Sequence, residues 1–386
     1  MTRINIHNAV AMSHSTSGTK RLCYSLAADE QYEELIRAVA TEDGNDDDDE
    51  NNSLEYKNPT QDNTVLHVLC QKRELHYDAI KAVVLRAPHL IQTYNRGGWT
   101  PLHLACDRSV RGIHRREKQH QENDNDSDDR VLHLLIRACP EAVSLRLLTG
   151  YPKRSTLDLA CHGGAGLDVL RSILEIDPTL ANPVSSRCWN EQQNIHLHLW
   201  QRQNNIDAIS LILWAGLFGN QKEYHRQDYL LHAACTQRVP RDYFDNILPH
   251  DPSKYLLLDP IHGKTPLHHA LDFVLTNPGQ RSGGHVIRSL LKRNKNVAGI
   301  QSRTPNGGGY YPLHTAVKIP YLDLFLIRDM ASPSAVRTPD PVTRLFPFQT
   351  AAQYADKGTL PLSTVLDLLL AGPEVIAIAL QTSDDA

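Results

Sequence analysis

The stretch Gly98-Trp99-Thr100-Pro101-Leu102-His103-Leu104-Ala105-Cys106 constrains this chain more than any other, because weaker copies of it recur along most of the sequence. With His103 as the reference, equivalent positions are His67, Asp158, His232, His268, His314 and Gln349. Successive steps are 36, 55, 74, 36, 46 and 35 residues. Three steps cluster near one value. The step of 74 is about twice that value, so one copy has decayed between Asp158 and His232. The steps of 55 and 46 require insertions, and 108–129 and 277–284 supply them. A fixed period of this size is the mark of stacked supersecondary units, each lending its neighbour a core.

The residue types within the word follow helix chemistry. Pro101, Pro266 and Pro312 suit a first helical turn, where a missing N–H costs nothing. Thr100 and Thr265 stand where a hydroxyl caps a helix. Leu102 and Ala105 lie three apart and share a face. A second apolar segment follows most words, as in 79–85, 167–174 and 286–291, and Pro88, Pro140 or Pro178 then ends it.

The word resembles the signature of the ankyrin-repeat family, almost letter for letter at Gly98–Cys106 and Gly263–Ala270, and the likeness extends from Thr64 to Leu370. The resemblance implies an all-α, ankyrin-like repeat solenoid. It would be built of stacked helix-turn-helix units joined by short fingers or hairpin loops, with no extended sheet. It also implies a structural hydrogen-bonding role for the word histidine and a binding face made of finger tips and inner helices. The expected organisation is a tail over 1–21, an N-terminal capping helix over 22–40 (one face carrying Tyr32, Leu35, Ile36 and Val39) and an acidic linker over 41–60. The array then occupies 61–380, and a polar tail follows over 381–386. The apolar run 206–215 fills the decayed layer. The insertion 108–129, basic in front and acidic behind, reads as a self-neutralising excursion between two helices of one repeat.

Composition narrows function. A formal net charge of −4 gives no general affinity for nucleic acid. No apolar run is long enough to span a membrane. Of the seven cysteines, Cys70, Cys106, Cys161 and Cys235 share one slot of the repeat. Stacked helices lie about 8–10 Å apart, beyond the reach of a disulfide. They read as small buried residues in a reducing compartment, cytoplasm or nucleus. His196 and His198 would share one side of a strand, without a third metal ligand nearby. The five word histidines are spread one per layer and make no common site. No hydrolase, kinase or phosphate-loop motif occurs. A non-catalytic, monomeric protein-interaction scaffold without cofactor is therefore the expected function, and a metal-assisted hydrolase built on histidines is the alternative. The expected partner-binding residues sit in the fingers: Tyr94, Arg96, Trp99, Tyr151, Arg154, His262, Lys264 and Tyr310. Aromatics and arginine are the types that anchor protein interfaces.

Overall fold

The computed structural model describes residues 21–41, 53–107, 124–149, 154–181, 206–221, 227–237, 239–277, 282–303 and 309–384. Tyr151, His196, His198 and the acidic run 42–52 lie outside the described residues, as do most of the insertion 108–129 and residues 278–281. The described residues are helical, as the periodicity requires. No strand occurs among them, only one isolated antiparallel bridge between Arg146 and Ser155. They fall into two compact units, one holding the described residues to Ala181 together with Ile206–Ala208 and one holding those from Ile209 onward.

The first unit consists of helices α1 (Leu22–Ala28), α2 (Tyr32–Thr41), α3 (Val65–Gln71), α4 (Tyr77–Arg86), α5 (Pro101–Cys106), α6 (Asp124–Ala138), α7 (Thr156–Gly163) and α8 (Leu167–Ile176). The helices alternate in role. α1, α3, α5 and α7 lie against one another in sequence order, and so do α2, α4, α6 and α8. Each word opens the first helix of a pair. Leu66, Leu102 and Leu157, the word leucines, are fully buried, which contributes roughly 1.5–3 kcal/mol each. A short 3-10 turn follows each second helix: Pro88–Gln92, Pro140–Ser144 and Pro178–Ala181.

Three boundaries differ from the sequence reading. The capping helix is two helices. Glu30 takes a left-handed φ of 61°, and the Gln31 amide donates to Leu26 O, so the chain reverses and α1 and α2 form a pair. The acidic rear of the first insertion is helix rather than excursion, because α6 begins at Asp124. Carboxylates belong in a first helical turn, where they meet unpaired N–H groups and the positive end of the dipole. Ser282 to Gly284 likewise form the start of a helix instead of closing the second insertion.

The apolar run forms α9 (Ile206–Phe218), whose residues from Ile209 on belong to the second unit. Its residues from Ile209 to Phe218 are mostly buried. Then come α10 (Gln227–Cys235), α11 (Arg241–Ile247), α12 (Pro266–Thr276), α13 (Ser282–Arg293), α14 (Pro312–Ala316) and α15 (Leu324–Met330). The unit closes with α16 (Pro333–Arg337), α17 (Pro347–Asp356), α18 (Leu362–Ala371) and α19 (Val375–Asp384). α10, α12 and α14 are successive neighbours, as are α13, α15 and α18. Among the described residues no helix is long and apolar enough to cross a membrane. Cys23, Cys70, Cys106, Cys139, Cys161 and Cys235 are all buried, and burial pushes the Cys161 and Cys235 thiols up, so they stay protonated.

Candidate functional site

The site residues stand on turns that the word itself fixes. In six of the seven words a side chain at position three of the helix accepts the backbone N–H of the capping residue. His67, His103, His268 and His314 do so through Nδ1, at 3.2, 3.2, 3.3 and 3.0 Å from Thr64, Thr100, Thr265 and Tyr311. Asp158 and Gln349 do so through oxygen, at 2.8 and 2.9 Å from Ser155 and Phe346. The slot therefore demands an acceptor, and the faded words keep one. An accepting Nδ1 leaves the proton on Nε2, which donates onward. The receiving carbonyls are Trp99 for His67, Leu145 for His103, Tyr310 for His268 and Thr338 for His314, at 2.7–3.1 Å. His232 donates to Leu257 O at 2.8 Å. The rings of His67, His103, His268 and His314 so join their own helix starts to the segment that follows. Burial lowers His67, His103, His232 and His268 to about 4, so these rings are neutral at physiological pH and committed to the fold.

The fingers ahead of the words share one turn. Asn58 N donates to Asn63 O and Asp62 N returns to Asn58 O. The same exchange links Asp259 with Lys264 and Gly263, and Asp340 with Leu345 and Arg344. A one-residue-shorter version links Asn95 with Trp99 and Gly98. The residue closing the turn has φ between 55° and 74° at Asp62, Gly98, Gly263 and Arg344. Adjacent fingertips are tied main chain to main chain: Arg96 N to Gln61 O at 2.8 Å, Leu148 N to Gly98 O at 3.2 Å, and Arg303 N to Gly263 O at 2.7 Å. At Gly263 a Cβ would stand 2.4 Å from Arg303 O. Glycine there satisfies both the left-handed φ and the close approach of the next finger.

The fingers bring together two groups of the expected contact residues, one in each unit. In the first, Tyr94 donates its hydroxyl to Arg146 O at 3.1 Å, and Trp99 is half-buried. Arg96 is exposed and reaches back to Asp62 and to Thr60 O at 3.4 and 3.1 Å. In the second, Lys264 bonds Asp272 at 2.7 Å and lies over the Tyr310 ring at 5.9 Å. The Tyr310 hydroxyl turns to the same carboxylate at 3.5 Å. His262 is partly exposed and turns inward to Asp259. Arg154 is exposed, its carbonyl accepting from Leu147 N. Most of these side chains thus brace fingers. Exposed side chains at the tips include those of Arg96, Ile261, Val342 and Arg344.

One finger carries chemistry that sequence reasoning missed. The fully buried Asp259 carboxylate accepts His262 Nδ1 at 3.0 Å and His269 Nε2 at 2.9 Å, besides the amides of Ile261, His262 and Lys264. Burial opposes its charge, yet these hydrogen bonds from His262 and His269 hold its carboxyl well below the usual range. His269 is pushed down by burial, against the pull of Asp259. The available signals were an Asp-Pro pair six residues ahead of the word threonine, echoed by Asn58-Pro59 and Asp340-Pro341, and a histidine directly after the word histidine. No protein-family model matches the chain, and a comparison with curated proteins found no match.

Proposed function

We propose that this chain is a non-catalytic interaction module of ankyrin-like design, whose layers present fingers and first helices to a partner protein. The observation that carries this reading is the commitment of the word histidines. Four of them spend both ring nitrogens inside the fold, Nδ1 on their own helix start and Nε2 on a carbonyl of the segment ahead. The residues that gave the histidine-hydrolase reading its appeal are therefore structural. The like-with-like neighbouring of helices and the recurrent finger support the ankyrin-like stack. The tips, in contrast, expose side chains outside the packed interior: Arg96, Ile261 at 41%, Val342 at 87% and Arg344. Apolar and arginine side chains on such projections are the material of interface hot spots. Small buried cysteines recurring in one slot of the repeat support a reducing compartment, cytoplasm or nucleus.

The test is affinity capture with quantitative mass spectrometry, comparing the full chain with a variant carrying Arg96→Ala, Ile261→Ser and Val342→Ser. The reading expects at least one reproducible partner whose recovery falls about tenfold while the thermal midpoint stays within about 2 °C, since exposed substitutions seldom move stability much. Unchanged recovery of every partner would overturn it.

A further inference from the structure

The turn around Asp259 is overprovided. The finger at Asp340 closes the same turn with amides from Val342 and Thr343 and one lysine, Lys318. The finger at Asn58 closes it with a neutral amide oxygen, which accepts from the Thr60 amide. Neither uses an imidazole. In the Asp259 finger two imidazoles converge on one carboxylate, one from the finger itself and one from α12. His269 occupies the slot directly after the word position, which Val68, Leu104, Leu159, Ala233, Thr315 and Thr350 fill in the other words. Its side chain is only 6% exposed, so a polar ring is buried where small or apolar groups serve elsewhere, and desolvating it has a cost. A second buried imidazole stands beside it. The ring of His232 lies 6.1 Å from that of His269, and His232 Nδ1, buried, has no hydrogen-bond partner.

We propose that Asp259, His262 and His269 form a binding site for a divalent transition-metal cation of the zinc type. One oxygen and two imidazole nitrogens are the donor set such a cation takes. The donor atoms all lie within 4.8 Å of one another. Around a tetrahedral zinc, with bonds near 2.0–2.2 Å, ligand atoms sit about 3.3 Å apart. Each imidazole already stands beside the carboxylate, His262 Nδ1 3.0 Å from Oδ1 and His269 Nε2 2.9 Å from Oδ2. The remaining contraction falls on His262, whose side chain is 39% exposed and free to adjust. The same exposure gives the ion its way in and leaves the fourth position to water. Binding takes the lone pairs of His262 Nδ1 and His269 Nε2. The protons those atoms now share with Asp259 leave for the opposite ring nitrogens or for solvent. The bound ion would pin the finger to α12 in place of two hydrogen bonds. This proposal is independent of partner binding.

The experiment uses the full chain, stripped with a chelator and titrated with zinc by calorimetry and with cobalt(II) by visible absorption. The wild type is expected to take one equivalent, with cobalt d–d bands of a low-coordinate nitrogen–oxygen site and a raised thermal midpoint. His262→Ala removes an exposed ligand without touching the core. Asp259→Asn keeps the turn, as Asn58 does in its own finger, and removes the anionic ligand. Each variant is expected to lose at least tenfold in affinity and the metal-induced rise in midpoint; His262→Ala should match the metal-free wild type in melting, whereas Asp259→Asn, which loses a charged acceptor, should melt lower. Absence of stoichiometric binding by the wild type, or affinity unchanged in the two variants because other histidines hold the metal, would overturn the proposal.

Discussion

The words at His103 and Asp158 build the same helix start and differ in what they pass on. Both close the capping residue's N–H onto a side-chain acceptor three positions later. Only His103 carries a second nitrogen, and it reaches Leu145 O, 42 residues ahead, in the segment that leads into the next finger. Asp158 is too short to reach beyond its own turn. It stands in the last word of the first unit, as Gln349 stands in the last word of the second. The helix start thus needs an acceptor, whereas histidine is needed where another layer must be held. The layer of Asp158 is fastened from the opposite direction. Asp129 on α6 accepts the Gly166 amide, at the head of α8, at 3.0 Å.

The sharpest way to break this comparison is at His103. His103→Ala should lower unfolding free energy by about 3 kcal/mol, because two buried hydrogen-bonding groups lose their partner. His103→Asn keeps an acceptor for Thr100 N but falls short of Leu145, and should cost about half as much. Equal losses in denaturant titrations would mean that the bond between layers contributes nothing. Protonation acts on the same bonds. His67 and His103 are held at about 4, while an unfolded histidine titrates near 6.5. Below about pH 6.5 the unfolded chain binds the proton more readily, so stability is intact above that value and declines toward pH 4. At pH 5 each such ring costs about 2 kcal/mol. The decline between pH 7 and pH 5 should therefore be smaller in His103→Asn, by about one ring's share. The smallest effect belongs to the other layer. Asp129→Ala should cost about 1 kcal/mol, seen as faster amide exchange confined to the first turn of α8, with α3 unaffected.

Much of this architecture is legible in the order of residues. The spacing of the words locates the first helices, and the prolines after α4, α6 and α8 mark where the second helices stop. The replacement of histidine by Asp158 and Gln349 looks like decay when read as letters. It is conservation of an acceptor when read as chemistry. Other features depend on contacts that spacing does not encode. The break at Glu30 requires a left-handed residue with no glycine to announce it. The helical start at Asp124 looks, by charge alone, like a solvated excursion. The convergence of Asp259, His262 and His269 joins a finger to a helix, and only the fold of the turn brings them within reach. Tyr94, Lys264 and Tyr310 have the composition of contact residues, yet their polar atoms are spent on neighbours within the chain.

The fingertip bonds have a consequence for how such a surface changes over time. Because Arg96, Leu148 and Arg303 contribute main-chain amides to these ties, that part of the lateral grip does not depend on the side chains they carry, although Arg96 adds side-chain bonds to Asp62 and Thr60 O. A tip residue is thus exchangeable without loosening these main-chain ties, provided the glycines beneath it stay in place. Recognition and cohesion are governed by different atoms of the same residues, so specificity is free to drift while the framework holds.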